Sequence, residues 1–496
     1  MNRKFLTNLI LLLFLNLLVK PFWILGIDLT VQNTVGAREY GFYFAIFNFS
    51  FLFNILLDFG ITNFNNRNIA QNNHLLNKHF SSILTLKFIL AGIYMITTLV
   101  IGLIMGYSEH QMKLLAFLAF NQILISLILY LRSNISGLQL FKTDSFLSVL
   151  DRLLMILFCG LLLWGNITKR PFSIELFVYT QTLAYVLTAL TALVIVIRKA
   201  RFVRLHWNIP FFIMIIKQSF PFAILVLLMT FYNRIDSVMI ERLIPGTLGD
   251  EQAGIYASAY RLLDAANMIA YLFSVLLLPL FSHMVKIKED VSKLVKLSFT
   301  LLFILSIVVA AGSYLYSENI MSMLYPQHKG ETLEIFKSRM RQTSTIFGTL
   351  MFGFIPISTT YIFGTLLTAN GNLKQLNIIA ATGMILNILF NLFLIPKFMA
   401  TGAAYVSMFT QFLSASIQIL ISLKIFKFKI SISYMLRIIF YVLLVFCFGY
   451  LSTKFDIMWI KSFVLFICAS VIFAFATGLL KIKAFINIIK KEEMSN

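Results

Sequence analysis

Fourteen apolar runs, each close to the length that crosses a lipid bilayer, follow one another along this chain with only short polar connections between them. A membrane-crossing helix rises about 1.5 Å per residue and needs about 20 mainly apolar residues. The runs fall at 4–27, 40–64, 81–106, 112–132, 146–166, 173–197, 211–240, 252–283, 294–316, 343–369, 374–396, 402–423, 434–452 and 458–480. The longest stretch between them, 317–342, is too short to fold as a domain. The expected fold is therefore an all-α polytopic membrane protein whose work is done within or beside the bilayer. Composition agrees, because 59% hydrophobic and 12% charged residues give more apolar surface than a soluble interior can bury. The opening "MNRKFLTNLILLLFLNLLVK" has the basic start and apolar centre of a signal peptide. No small-residue cleavage site follows and the run continues through "PFWILGI", so it is expected to remain as the first helix.

The formal net charge of +21 is the kind of excess that nucleic-acid binding also produces. Here the basic residues are spread over the connections, with no soluble domain around them, so no nucleic-acid partner is expected. With the N-terminus in the cytoplasm, about 23 Lys and Arg fall in inward connections, about 12 in outward ones and about 6 within spans. Acidic residues run the other way, about 5 inside and about 11 outside. "IRKARFVRLH" (197–206), "KIKEDVSKLVK" (286–296) and "KIFKFK" (424–429) are the main inward anchors. An even span number returns "KIKAFINIIKKEE" to the same side, so both termini are expected to be cytoplasmic. Cys159, Cys447 and Cys468 lie inside apolar runs without paired spacing, which argues against a disulfide framework or a metal site. No cofactor is called for.

A weak internal repeat divides the chain. "REYGFYFAIF" (38–47) opens the second span and "EQAGIYASAY" (251–260) opens the eighth. Gly41 aligns with Gly254, Tyr43 with Tyr256 and Phe47 with Tyr260, a shift of six spans. An even shift preserves orientation, so the halves are expected to be parallel repeats about an axis along the membrane normal. This predicts two pseudo-symmetric six-helix lobes, 1–206 and 207–430, with two further helices and a basic tail in 431–496.

Charges inside the spans are the candidate functional residues. Each Arg, Lys or Asp at a bilayer centre costs about 2.5–3.5 kcal/mol on the insertion scale. Lys20, followed at once by Pro21, lies near the middle of the first span. Arg234 and Asp236 lie in the outer half of the seventh, and Arg261 and Asp264, three apart on one helix face, in the outer half of the eighth. Unpaired, these five would cost more than about 12 kcal/mol, so pairing or hydration must remove most of it. Two arrangements do so. In one, Arg234 and Arg261 pair with Asp236 and Asp264 and tie the two spans together. In the other, Lys20, Arg234 and Arg261 line a cationic cavity for an anionic head group, the aspartates setting side-chain pose. Arg67, after the second span, serves either as a first contact for an anion or as an inward anchor. Asp58 at the inner end of the second span is a coupling residue or a helix-end hydrogen-bonding group. Lys87, Asp151, Arg152 and Lys217 sit near inner span ends and are expected to reach the interface.

Four stretches together resemble a known family: "LDFGITNFNNRNIAQN" after the second span, "NRID" in the seventh, "EQAGIYASAYRLLD" into the eighth, and "ANGNLKQLNIIAATGMILNILFNLFLIPKFMATGAAY" (369–405). They are similar to the polysaccharide-biosynthesis flippases, O-antigen or capsule type, of the multidrug/oligosaccharidyl-lipid/polysaccharide exporter superfamily. The resemblance runs over nearly the whole chain, including its length and span count. It implies a non-enzymatic transporter in the bacterial cytoplasmic (inner) membrane. Its cargo would be an undecaprenyl-diphosphate-linked oligosaccharide, a unit of a surface polysaccharide such as lipopolysaccharide O-antigen or capsule, flipped from inner to outer leaflet by alternating access. Related lipid-linked peptidoglycan-precursor flippases use cations in helices 1, 2 and 8, which Lys20, Arg67 and Arg261 match in place. The implied partners are that substrate, membrane lipids, and a proton or sodium ion for coupling.

Two rival functions make different demands. A cation-coupled multidrug antiporter of the same superfamily needs a membrane-embedded acid, for which Asp264 or Asp58 would serve. A membrane polysaccharide polymerase or ligase needs catalytic groups on an outward loop. The longest such loop, 317–343, offers His328, Glu331 and Glu334 on what reads as an amphipathic surface helix.

Overall fold

The computed structural model describes residues 14–16, 18–62, 65–66, 69, 74–165, 171–200, 207–327, 331–429 and 431–480. All regular structure among them is helical. Twelve continuous helical runs are long and apolar enough to cross a membrane, and two of these hold two spans each. Phe14–Leu52 kinks at Gly36 (φ 83°, ψ 166°), a conformation open almost only to glycine because a Cβ would crowd the backbone. The kink separates α1 (18–35) from α2 (37–52). Next come α3 (Leu75–Ile104), α4 (Glu109–Gly137), α5 (Phe141–Trp164), α6 (Ile174–Lys199), α7 (Ile209–Leu243), α8 (Thr247–Lys286), α9 (Ser292–Leu315) and α10 (Leu333–Ala369). Leu373–Phe426 breaks at Met399 (φ 52°, ψ −140°), three residues after Pro396 removes a backbone donor, giving α11 (373–398) and α12 (400–426). The series ends with α13 (Ile432–Ser452) and α14 (Trp459–Ala476). Fourteen spans result, as the apolar runs predict.

Polar residues at the ends explain where several spans begin. Ser108 and Gln111 form a capping box at α4, each side chain meeting the other's backbone N–H. Ser173, Asn208, Thr332 and Ser431 each accept a backbone N–H of the first turn of α6, α7, α10 and α13. Thr332 caps α10, which starts ten residues before the apolar run expected from 343, so the end of the 317–342 connection is helix; Ser317–Leu324 forms a separate short helix. The second span differs too. Its α-helix ends at Leu52 rather than near 64, and a 3₁₀ turn, Asn54–Leu57, leads to Asp58.

The chain forms two compact units, one of residues 1–257 with 391–399, the other of 258–390 with 400–496. In the first, α2 packs against α4 and α7, and α4 against α6. A core of Phe80, Leu131, Ile135, Leu147 and Val196 joins α3 to α6. The start of α8 crosses α2 at backbone contact. A Cβ on Gly41 would lie 1.9 Å from the Asp250 carbonyl oxygen, and one on Gly254 would lie 1.8 Å from that of Ala37. Each glycine thus faces the residue four before the other, the reciprocity that a local two-fold relation requires. The two glycines that align in the internal repeat are the two that meet.

In the second unit, α9 is the centre, contacted by α10, α13 and α14. Gly312 of α9 admits the rings of Phe463 and Phe466 from α14, and Gly449 of α13 admits Phe466, close approaches that small residues allow between membrane helices. The Tyr316 and Ser452 hydroxyls join at 2.7 Å. The outer face of α13 exposes Met435, Leu436, Ile439, Phe440 and Leu443. Such a stripe is costly in water and neutral against acyl chains.

Candidate functional site

A group of charges among the spans lies in the first unit, around α1. Pro21 has no N–H to donate, and the turn after it, Trp23–Asp28, is π-helical. Lys20 is half-buried immediately before this wide turn, within electrostatic reach of Arg152, Asp151 and Arg132. Arg132 of α4 is paired, its Nε 2.8 Å from Asp144 Oδ1 of α5. Arg152 is 3.8 Å from Asp151, whose other oxygen accepts the Arg152 backbone N–H at 2.8 Å. The Arg152 guanidinium also lies 5.5 Å over the Trp23 ring and 6.0 Å over that of Tyr185. Trp23 is itself stacked on Phe177 at 6.0 Å. Two aromatic rings from α1 and α6 therefore hold the cation in place. Asn16 donates to Ser148 at 3.0 Å, tying α1 to α5.

Three cations and two acids leave this cluster with one net positive charge. Lys20 makes no hydrogen bond or contact ion pair among the described residues, so its field stays available to an anion. Arg152, expected to reach the interface as an anchor, is instead turned onto aromatic rings beside Lys20. That role escapes sequence inspection because it depends on which helices are neighbours.

Lys87 likewise does not reach the interface. It is 5% exposed and donates to the Leu57 carbonyl at 2.9 Å, to Ser126 Oγ at 3.0 Å and to Asp58. Asp58 also accepts the Thr62 hydroxyl at 2.5 Å and its backbone N–H at 3.3 Å. Through Lys87 these bonds join Asp58 at the end of the second span to α3, and Ser126 of α4 joins the same group by donating to the Leu57 carbonyl at 3.1 Å. Arg67 lies outside the described residues.

On α7, Arg234 sits 5.6 Å over the Phe51 ring of α2. Asp236 is 1% exposed and accepts the Tyr256 hydroxyl at 2.9 Å and the Asn391 amide at 2.7 Å. Beside it, Asn48 donates to Ser237 at 2.8 Å. Arg261 and Asp264 are half-buried on α8 in the second unit, one turn apart. A second buried acid, Asp28, is 3% exposed and accepts the Tyr40 hydroxyl at 2.8 Å. Sequence inspection missed it because it follows the first apolar run by one residue and reads as a connection; the π-helical turn carries the helix through it.

This chemistry is suited to holding an anion and a few protonatable acids inside a membrane. Of the candidate catalytic groups in the 317–343 segment, Glu331 is held by Arg339 through two parallel bonds of 2.8 and 2.9 Å, Glu334 is exposed, and His328 lies outside the described residues. Among the described residues no three His, Cys, Asp or Glu side chains are grouped to hold a metal ion.

Residues 5–285, more than half of the chain, match the family model described as polysaccharide biosynthesis protein. No curated protein matches the sequence. Among solved structures, the lipid II flippase MurJ in an inward closed conformation superposes with a TM-score of 0.71 at 15% identity, over 95% of this chain and 97% of that one. An inward-facing multidrug resistance MATE transporter of the MOP superfamily superposes at 0.61 and 13% identity, over 82% of this chain and 94% of that one. A MOP superfamily transporter from Pyrococcus furiosus, whose binding pocket is described as of reversed polarity, superposes at 0.59 and 13%, over 85% and 96%. At these identities the likeness is one of fold.

Proposed function

Because this chain belongs to the polysaccharide biosynthesis protein family and has the all-α, multi-pass fold shared by the lipid II flippase and the multidrug exporters, we propose that it flips a lipid-linked oligosaccharide across the bacterial cytoplasmic membrane. The substrate class is an undecaprenyl-diphosphate oligosaccharide, a repeat unit of a surface polysaccharide. The observation that carries this reading is the net-cationic cluster of Lys20, Arg132 and Arg152, each half-buried among membrane spans. A diphosphate is the part of such a substrate that needs cations, and Lys and Arg hold it by charge-assisted hydrogen bonds.

In this mechanism Lys20 and Arg261 are the main electrostatic contacts, with Arg152 and Arg234 adding to the field and Arg67 meeting the substrate first. The glycan follows through a hydrated space while the isoprenoid tail stays in the bilayer. The halves 1–206 and 207–430 act as the two rocking lobes, and 431–496 is an addition to them. Asp236 and Asp264 set arginine pose or take a coupling proton or sodium ion. Both termini are cytoplasmic, as the distribution of Lys and Arg supports.

Transport is tested in proteoliposomes loaded with an undecaprenyl-diphosphate oligosaccharide, reading access of an external glycosidase to the glycan. Lys20→Ala and Arg261→Ala should each abolish the flipping signal at unchanged protein level, and normal flipping by both removes the site assignment. The buried carboxylates of Asp28 and Asp236 favour a second reading, cation-coupled drug export. Drug accumulation in cells expressing the protein, lowered at wild-type Asp236 and restored by Asp236→Asn, would replace the first reading with that one.

A further inference from the structure

A second basic site lies in the other unit, far along the sequence from Lys20 and the other charges discussed so far. A cavity of about 680 Å³ opens where α9 begins, α13 begins and α14 has just ended. Its lining includes Lys293, Lys296, Thr300, Tyr434, Arg437 and Gly478. We propose that this cavity binds the phosphodiester of an anionic glycerophospholipid, whose acyl chains run down the apolar face of α13.

The described lining of the cavity is cationic. Among the described residues three cations line it and no acid does. Among the described residues, none of the three makes a contact ion pair. The neighbouring carboxylate, Asp290, accepts the Ser292 hydroxyl at 2.5 Å and its backbone N–H at 2.9 Å. Those bonds, with the Lys293 ammonium nearby, hold its carboxyl below the usual carboxylate range. Asp290 is thus bonded at the start of α9 and is not part of the cavity lining. Both α9 and α13 present their N-terminal ends here, where free backbone N–H groups add partial positive charge.

The cavity walls are fixed by specific contacts. The Tyr434 and Thr300 hydroxyls meet at 2.7 Å, bridging α13 to α9, and Ser431 caps the Tyr434 N–H at 3.2 Å. Lys296 Nζ stands 4.5 Å over the Tyr434 ring. Arg437 makes one long hydrogen bond, 3.5 Å, to the Gly478 carbonyl, leaving most of its donors for another acceptor. Gly478 has φ +68°, and a Cβ there would come within 3.1 Å of the Arg437 guanidinium, so glycine keeps this wall open.

Position selects a lipid over a soluble anion. The cavity lies within two turns of the helix ends that the distribution of Lys and Arg assigns to the cytoplasmic side, which is headgroup depth. The rest of the lining is apolar, with Leu297 and Leu301 a turn further into α9 and Leu479 and Leu480 past the end of α14. The exposed apolar residues Ile439, Phe440 and Leu443 continue from Arg437 toward the bilayer centre. A headgroup phosphate above and acyl chains below match both halves of this surface, and basic pockets between membrane helices commonly take anionic headgroups.

The test uses the purified full chain in detergent, with thermal unfolding and native mass spectrometry as readouts. Phosphatidylglycerol should raise the unfolding midpoint and remain bound in the mass spectrum, while phosphatidylcholine of the same chain length should do neither. Inorganic phosphate at millimolar concentration should leave the phosphatidylglycerol titration unchanged. The triple substitution Lys293→Ala, Lys296→Ala, Arg437→Ala removes exposed side chains and should weaken phosphatidylglycerol binding about a hundredfold. Gly478→Ala, pressed against Arg437, should weaken it less. Equal effects of the two lipids, or undiminished phosphatidylglycerol binding by the triple variant, would overturn the proposal. Competition by inorganic phosphate would also overturn it, in favour of a soluble anion.

Discussion

Replacing Gly254 with alanine puts a methyl group where the Ala37 carbonyl oxygen stands, 1.8 Å away, with the Ala37 carbonyl carbon at 2.6 Å. Neither atom has a rotamer to escape into, since both are backbone. An ordinary carbon–oxygen contact is about 3.4 Å, so α2 and α8 must part locally by about 1.5 Å. Overpacking of this kind costs about 1–3 kcal/mol. The separation also stretches the 3.0 Å hydrogen bond from the Gln32 amide to the Gly254 carbonyl, which contributes about 1 kcal/mol. Together about 2–4 kcal/mol is lost, enough to lower the unfolding midpoint by about 5 °C while leaving the protein folded. Gly41→Ala, facing the Asp250 carbonyl at 1.9 Å, should cost a similar amount. One separation relieves both clashes, so the double variant should cost clearly less than the sum. The control is Gly92→Ala in α3, where nothing lies within 4 Å and alanine is the better helix former. Thermal unfolding of the four purified proteins in detergent is the assay. A Gly254→Ala midpoint equal to that of Gly92→Ala, or strictly additive losses in the double variant, refutes the backbone-contact crossing.

Three further outcomes are expected. Lys87→Met leaves Asp58 without its buried cation and should cost about 3 kcal/mol, less than a wholly buried pair because Asp58 is partly exposed; adding Asp58→Leu should recover much of the loss in the same unfolding assay. Gly36→Val forces a branched side chain into a left-handed conformation and should cost about 1–3 kcal/mol although space is open around it, so a neutral result argues against the kink. Arg152→Ala should slow flipping about tenfold in proteoliposomes, and Arg152→Lys should recover it only partly because the ammonium lacks the planar face that lies on Trp23; full activity of Arg152→Ala removes it from the anion site.

The fold was legible in the sequence to the extent that it depends on the bilayer. Apolar length alone gives fourteen spans, whereas the caps at Ser108, Ser173, Asn208 and Ser431 were seen only in the structure, where their side chains accept first-turn backbone N–H groups. The Gly41 and Gly254 alignment was also visible, though only the structure shows that the pair meets. What could not be read depends on neighbours. Lys87 looked like an interface anchor until Asp58, Leu57 and Ser126 were brought around it. Arg152 looked the same until Trp23 and Tyr185 met its guanidinium. Asp28 was read as a connection because hydropathy stops at residue 27 while helical hydrogen bonding does not. Lys20 was the exception, since a lysine next to proline within an apolar run has no local way to escape its penalty.

The wide turn after Pro21 has a geometric consequence. In a regular α-helix, residues 20 and 28 would stand about 80° apart around the axis. Six consecutive residues, Trp23–Asp28, wound with i→i+5 bonding take up most of that offset. An ammonium and a carboxyl at different depths thereby share a single stripe of one rod. When α1 tilts, both travel with it, so whatever neutralises one changes the position from which the other acts.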